Sequence, residues 1–463
     1  MTEQLKLKLN DSKATRWGAL VIVAFTMMAA YYVNDVVAPL KTMLETDLAW
    51  SSTDFGFFTG GYSFLNVFFL MLIWGGLILD RFGIRFTGKL ATILMVGGTA
   101  LEYYAMTGLA GADATLFGIN EIFGYKTGVF VAFAGYSIFF FFSEVAGITV
   151  SKIIAKWFKG KELATAMGVQ VALARIGSQA GYAVAIPLAR AFGISTPVLL
   201  GLVLLLGGMI AFFIFAVMDK KLDKQMEAAA IAAGTEDEEE KFSFKDVKNI
   251  LVNPGFWLIA LLCVLFYSCV FPFQKFASEL MIIKYGINEN VAGTFAGLPA
   301  LGALILTPVF GGFIDKRGKS ASIMLLGSAM LICVHFIYAI PDINYWLVAI
   351  VLMIILGIAF SLVPSAMWPA VAKIFPVSQL GTAYALIFFI QNIGLWGIPT
   401  LIGWVLDAYC ISGKKPDGTN MYDYTVPMCI FTGIACLSLI VALLLKKADK
   451  KYGYKLEEPN IQK

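Results

Sequence analysis

Charge is scarce in this chain. Of 463 residues only 14% are charged, where a soluble protein of this size carries roughly 25%, and a single histidine, His335, is present. An ordinary soluble domain is therefore excluded. Cysteine is also sparse: the six are scattered and five fall in apolar runs, so neither a disulfide framework nor a thiolate metal site is expected. Cys410 and Cys429 are the pair placed to meet, at the ends of the last two apolar runs. There is no phosphate-binding loop, metal-ligand cluster or nucleophilic triad. The expectation is a protein that is not an enzyme, uses no cofactor or metal, is not an ATP-driven pump, has no nucleic-acid partner and is a monomer.

What is abundant is apolar sequence, 59% of the chain. Twelve runs are long enough to cross a bilayer, which takes about 20 residues each. They fall at about 17–40, 55–79, 86–110, 128–155, 162–190 and 196–218, then 254–282, 291–314, 320–340, 345–373, 380–407 and 425–446. Alternate loops are basic: Arg81/Arg85, Lys156/Lys159/Lys161, Lys316/Arg317/Lys319 and the tail from Lys446. The positive-inside rule puts those loops and both termini in the cytoplasm. Residues 219–252 are polar, with the acidic run Glu236-Asp-Glu-Glu-Glu240, and read as a cytoplasmic linker. The expected organisation is an all-α polytopic membrane protein: six-helix bundles over 1–218 and 253–446, and a tail over 447–463.

The halves repeat. Gly76-Leu-Ile-Leu-Asp80-Arg81-Phe-Gly83-Ile-Arg85 follows the second run, and Gly311-Gly-Phe-Ile-Asp315-Lys-Arg317-Gly318 follows the eighth. Leu163-Ala-Thr-Ala166 matches Leu380-Gly-Thr-Ala383, and Arg175-Ile-Gly177 matches Asn392-Ile-Gly394. Duplicated bundles with a site between them at the membrane midplane are a common transporter plan. The Asp80 loop resembles the signature of the major facilitator superfamily, which implies a gating latch built from Asp80, Arg81, Gly83 and Arg85, with Asp315 and Arg317 in its weaker copy.

Two charges stand out inside apolar runs: Glu144 in the fourth and Arg175 in the fifth. The midpoint between them falls within the basic stretch Lys156–Lys161, so a helical hairpin turning there sets both at one depth. At ~1.5 Å per residue, about 15 residues from the turn is on the order of 23 Å, near the bilayer centre. A charge there costs ~2.5–3.5 kcal/mol on insertion scales, so such residues face a cavity or one another. Lys275 and Glu279 read instead as an interfacial pair, with an outer gate as the lesser alternative, and Glu102 as a side chain snorkelling to the surface.

Longer strings narrow the resemblance. Trp157-Phe-Lys-Gly-Lys-Glu-Leu163, Ala174-Arg-Ile-Gly-Ser178, Val270-Phe-Pro-Phe273, Gln379-Leu-Gly-Thr-Ala-Tyr384 and Gln391-Asn-Ile-Gly394 resemble the major facilitator domain-containing protein 1 family of lysosomal dipeptide transporters. The resemblance implies dipeptide transport by alternating access without a strict driving ion. It also implies that Glu144 faces the peptide amine and Arg175 the carboxylate. An arginine fork suits a carboxylate because it donates two parallel hydrogen bonds. Further lining residues are expected at Tyr32, Tyr62, Asn66, Tyr267, Gln274, Trp368, Gln391 and Asn392. The N-terminal tail has no acidic dileucine signal, so a bacterial inner membrane is the expected location. An organic-anion exchanger using Arg175 alone, a proton-coupled symporter and a non-transporting receptor remain alternatives.

Overall fold

The computed structural model describes residues 8–111, 114–158, 161–233, 244–415 and 417–459. The acidic run 236–240 and Lys159 lie outside them.

Fifteen α-helices are formed among the described residues. In the first half they are α1 Lys13–Val36, α2 Lys41–Leu48, α3 Ser52–Phe69, α4 Met71–Thr107, α5 Thr127–Phe158, α6 Leu163–Phe192 and α7 Thr196–Ala233. α8 Phe244–Val252 precedes the second half, which holds α9 Pro254–Tyr285, α10 Glu289–Ala296, α11 Leu298–Arg317, α12 Ser320–Ala339, α13 Trp346–Ile374, α14 Val377–Tyr409 and α15 Thr425–Tyr452. Two antiparallel hairpins complete the set: β1 Glu121–Ile122 with β2 Tyr125–Lys126, and β3 Ile411–Lys414 with β4 Asn420–Tyr422.

Among the described residues, nine helical segments are long and apolar enough to cross a membrane, and a tenth forms if the bent pair α3–α4 is one span. The expected second span breaks at Leu70, whose φ of 51° ends α3 early, and the chain bends there by 72°. α4 then continues through Gly83, where φ is 73°, a conformation open to glycine because it lacks a Cβ. α6 is not among the nine. Its Gln170, Arg175, Ser178, Gln179 and Arg190 dilute its apolar character.

Local chemistry explains the helix ends. Ser51 and Asp54 close a capping box at α3, with each side chain bonded to the other's backbone. Asn253 caps α9, whose first residue is Pro254, and Gly286 ends it in the left-handed region.

Within the first half α4 packs on α5 and α7, and α1 on α6 and α7. In the second, α12 packs on α15 and α13, and α9 on α14 and α15. The halves meet where α3 crosses α14 and where α6 meets α10 and α11. The α3–α14 crossing is a backbone contact: a Cβ on Gly56 would sit 2.5 Å from the Pro399 carbonyl, and one on Gly403 would sit 2.3 Å from the Ser52 carbonyl.

Two faces result. α2 and both hairpins lie at one end, here the hairpin face, and the described ends of the chain lie at the other, here the terminal face. The C-terminal segment is not a loose tail. Leu456 is fully buried. The Glu457 carboxylate accepts from the Ser322 backbone N–H and hydroxyl at 2.8 Å each. The Tyr454 hydroxyl donates to Asn253 Oδ1 at 3.0 Å.

Candidate functional site

Glu144 on α5 and Arg175 on α6 line one cavity of about 140 Å³. Met27, Tyr31, Asn34 and Asp35 of α1 share it, as do Tyr62 of α3, Phe140 and Ser143 of α5, and Phe271 of α9. The two charges do not pair with each other. Glu144 accepts instead from Asn66 Nδ2 at 2.5 Å. Arg175 has no hydrogen-bond or ion-pair partner among the described residues. Its guanidinium carbon lies 5.7 Å from the centroid of the Tyr31 ring and 5.3 Å from that of Phe360.

The other expected lining residues divide. Tyr62 lines the cavity and packs its ring on Phe140, and Asn66 reaches it through Glu144. Tyr267 and Trp368 bond to each other, Trp368 Nε1 donating to the Tyr267 hydroxyl at 3.3 Å. They extend an aromatic wall from Phe271, which stacks on Tyr267 at 5.6 Å. Tyr32 points elsewhere, donating to the Pro197 carbonyl at 3.1 Å. Gln274 donates to the Ala296 carbonyl, Gln391 accepts from the Cys263 thiol, and Asn392 donates to Phe388 in its own helix. These four are engaged in helix packing rather than among the cavity-lining residues.

Several charges are not where the sequence suggested. Lys275 and Glu279 are not a mutual interfacial pair. Lys275 is buried and turns to α1, donating to the Asn34 carbonyl at 2.9 Å and meeting Asp35 at 3.3 Å. Glu279 meets Lys41 at 2.5 Å. Glu102 does not snorkel: it is fully buried and neither carboxylate oxygen has a hydrogen-bond partner among the described residues. His335 is buried too, its Nε2 3.0 Å from the Cys269 carbonyl. Cys410 and Cys429 are both free thiols, one buried and one exposed.

Above the cavity, a charged cluster lies buried at the hairpin face. Lys41 bridges Glu45 at 2.7 Å and Glu279 at 2.5 Å, while Lys415 lies 3.9 Å from both carboxylates. Tyr424 donates to Glu279, and the Tyr422 ring lies beneath Lys41. Asp407 of α14 accepts from the Ser52 and Thr53 backbone N–H groups, so a second-half carboxylate caps a first-half helix. Arg190 pairs with Glu289 nearby. Lys41 and Glu45, one helical turn apart in sequence, were the legible hint of this cluster.

At the terminal face the repeated loop is engaged within the first half. Arg85 meets Asp223 at 2.6 Å and Asp219 at 3.7 Å, Lys156 meets Asp219 at 2.7 Å, and Lys152 meets Asp80 at 3.1 Å. Arg81 lies over the Phe82 ring. In the second copy Gly318 has φ 70° and Arg317 lies over the Phe313 ring.

The sequence profile of the Major Facilitator Superfamily matches residues 20–399 and 276–458. The chain belongs to this superfamily. It is a multi-pass membrane transporter, not an enzyme. Among its relatives, a human protein named lysosomal dipeptide transporter MFSD1 is 29% identical over 454 residues, covering 95% of this chain and 88% of its own. The Danio rerio protein of that name is 26% identical, with 93% and 86% covered. Among solved structures, a point mutant of the nucleoside transporter NupG superposes with a TM-score of 0.69 at 12% identity, covering 92% of this chain and 98% of that one. A point mutant of the peptide transporter POT in complex with sulfate gives 0.66 at 13%, with 95% of each covered. These likenesses establish the major facilitator fold.

Proposed function

We propose that this transporter carries dipeptides, with Glu144 holding the peptide amine and Arg175 the carboxylate. The observation that carries this reading is that the two opposite charges share one cavity without pairing. A zwitterion with one positive and one negative end completes both. Requiring both ends disfavours ligands with one, because the unmatched charge would stay buried and unpaired. The aromatic wall of Phe140, Phe271 and Tyr267 suits side chains of varied shape. The names of the curated relatives support the substrate class.

The cross-half contacts Lys41–Glu279, Asp35–Lys275 and Arg190–Glu289 support a conformation closed at the hairpin face. With basic loops inside, the terminal face is cytoplasmic. Alternating access then requires these pairs to part while the two bundles rock about the cavity, by uniport. In this reading the transporter works in a bacterial cell membrane.

In proteoliposomes, saturable dipeptide uptake is expected and should vanish in Arg175→Ala and Glu144→Gln. Wild-type uptake by both variants would falsify the assignment. A second reading, an organic-anion exchanger, is favoured by one fact: Arg175 is unpartnered among the described residues while Glu144 already has Asn66. An anion exchanger keeps its activity in Glu144→Gln and is inhibited by simple carboxylates but not by dipeptides.

A further inference from the structure

Among the described residues, Arg175 is held without engaging any of its donors. A guanidinium has five N–H groups around the edge of a plane and two faces that carry none. Aromatic rings attract the cation through their quadrupole within about 6 Å, and carboxylates bind at the edge. Tyr31 and Phe360 lie at 5.7 and 5.3 Å from the guanidinium carbon. No protein acceptor competes for its N–H groups among the described residues. Phe360 itself is buried at 3% exposure and is fixed by edge contacts from Phe271 at 5.3 Å and Tyr267 at 6.2 Å. The rings also come from different places: Tyr31 from α1, in the half that carries Arg175, and Phe360 from α13 in the other half.

We infer that Phe360, with Tyr31, is a positioning residue that pre-orients Arg175 for the substrate carboxylate. This inference rests on the dipeptide reading above. The rings supply the attraction that an acid would otherwise supply, so the fork stays aimed and unoccupied. A carboxylate partner at the same place would neutralise Arg175 and compete with the substrate. The rings attract it without accepting its N–H groups as a carboxylate would. Preorganisation of this kind lowers the ordering cost of binding, so its loss appears in affinity before turnover. Because Phe360 belongs to the second half, the carboxylate anchor is built from both halves, although its charge comes from the first.

The test is proteoliposome uptake by Phe360→Leu, which keeps an apolar side chain but removes the ring, and by Phe360→Tyr, which restores it. Tyr31→Leu and Tyr31→Phe form the matching pair. Phe360→Leu is expected to raise KM for a dipeptide about five- to tenfold with kcat within about twofold, and Phe360→Tyr to return KM to near wild type. Competition by the same dipeptide with its C-terminal carboxylate amidated is expected to weaken far less. Unchanged KM in both leucine variants, failure of the Tyr and Phe replacements to rescue, or equal losses for acid and amide would overturn the inference. A wild-type protein that moves no dipeptide overturns the functional reading instead, and this inference falls with it.

Discussion

Asp35 on α1 and Lys275 on α9 face each other at 3.3 Å across the two halves of the transporter, and Asp35 also lines the cavity that holds Glu144 and Arg175. One carboxylate thus belongs both to the cavity wall and to the contact between the halves. Breaking a buried pair by removing one partner typically costs about 3–5 kcal/mol, because the other charge is left uncompensated. Asp35→Asn and Lys275→Gln should each favour separation at the hairpin face. Cysteine labelling of positions beside Lys41 should rise severalfold in either variant. The double variant, which leaves no orphan charge, should label less than either single one.

The α3–α14 crossing gives a second expectation. Neither Gly56 nor Gly403 has room for a methyl group, because backbone lies within 2.5 Å of each added Cβ. Gly56→Ala and Gly403→Ala should wedge the two helices apart. The cost expected is about 1–3 kcal/mol, the usual range for overpacking. Thermal melts in detergent should fall by several degrees for both, and an unchanged melting temperature would contradict the close contact.

Glu102 offers the opposite sign. It is fully buried and both carboxylate oxygens lack hydrogen-bond partners among the described residues, so its environment offsets little of its desolvation. Replacement by an apolar group of similar length should therefore be neutral or stabilising. Glu102→Met is expected to hold or raise the melting temperature. A clear drop would mean that the acid has a role that static packing does not reveal.

Asp11 gives a pH dependence at the start of the chain. A hydrogen bond from Lys161 is the main cause holding its carboxyl below the usual carboxylate range, and the Lys161 ammonium also donates to the Asn10 carbonyl. A depressed folded pKa means that the tether is fully present above the ordinary value of 3.8 and is lost as pH falls through the lower folded one. Protease cleavage near residues 8–12 should accelerate on acidification only below about pH 4. Asp11→Asn should show the fast cleavage already at neutral pH.

Much of the architecture is legible in the sequence because membrane burial demands long apolar runs, and the duplicated Gly-x-x-x-Asp loop marks the internal repeat. The helix that carries Arg175 shows the limit of that rule: its polar residues, one of which lines the cavity, weaken its apolar signal. The cavity charges Glu144 and Arg175 stand out because charge inside an apolar run is costly. Phe360 does not, since one aromatic among many carries no mark of what it faces. Lys275 misleads for a related reason. Four residues from Glu279, it fits a same-helix pair, and only the tertiary approach of α1 reveals Asp35 as its partner. The break at Leu70 had no glycine or proline to announce it.

The buried cluster of Lys41, Glu45, Glu279 and Lys415 has two charges of each sign and so carries no net charge. Parting the halves there exposes all four, and each charge must recover its hydration shell. Opening therefore takes up water, and the conformational balance becomes sensitive to water activity. An impermeant osmolyte such as sucrose, excluded from newly hydrated surface, should hold the hairpin face shut at constant pH, salt and membrane potential.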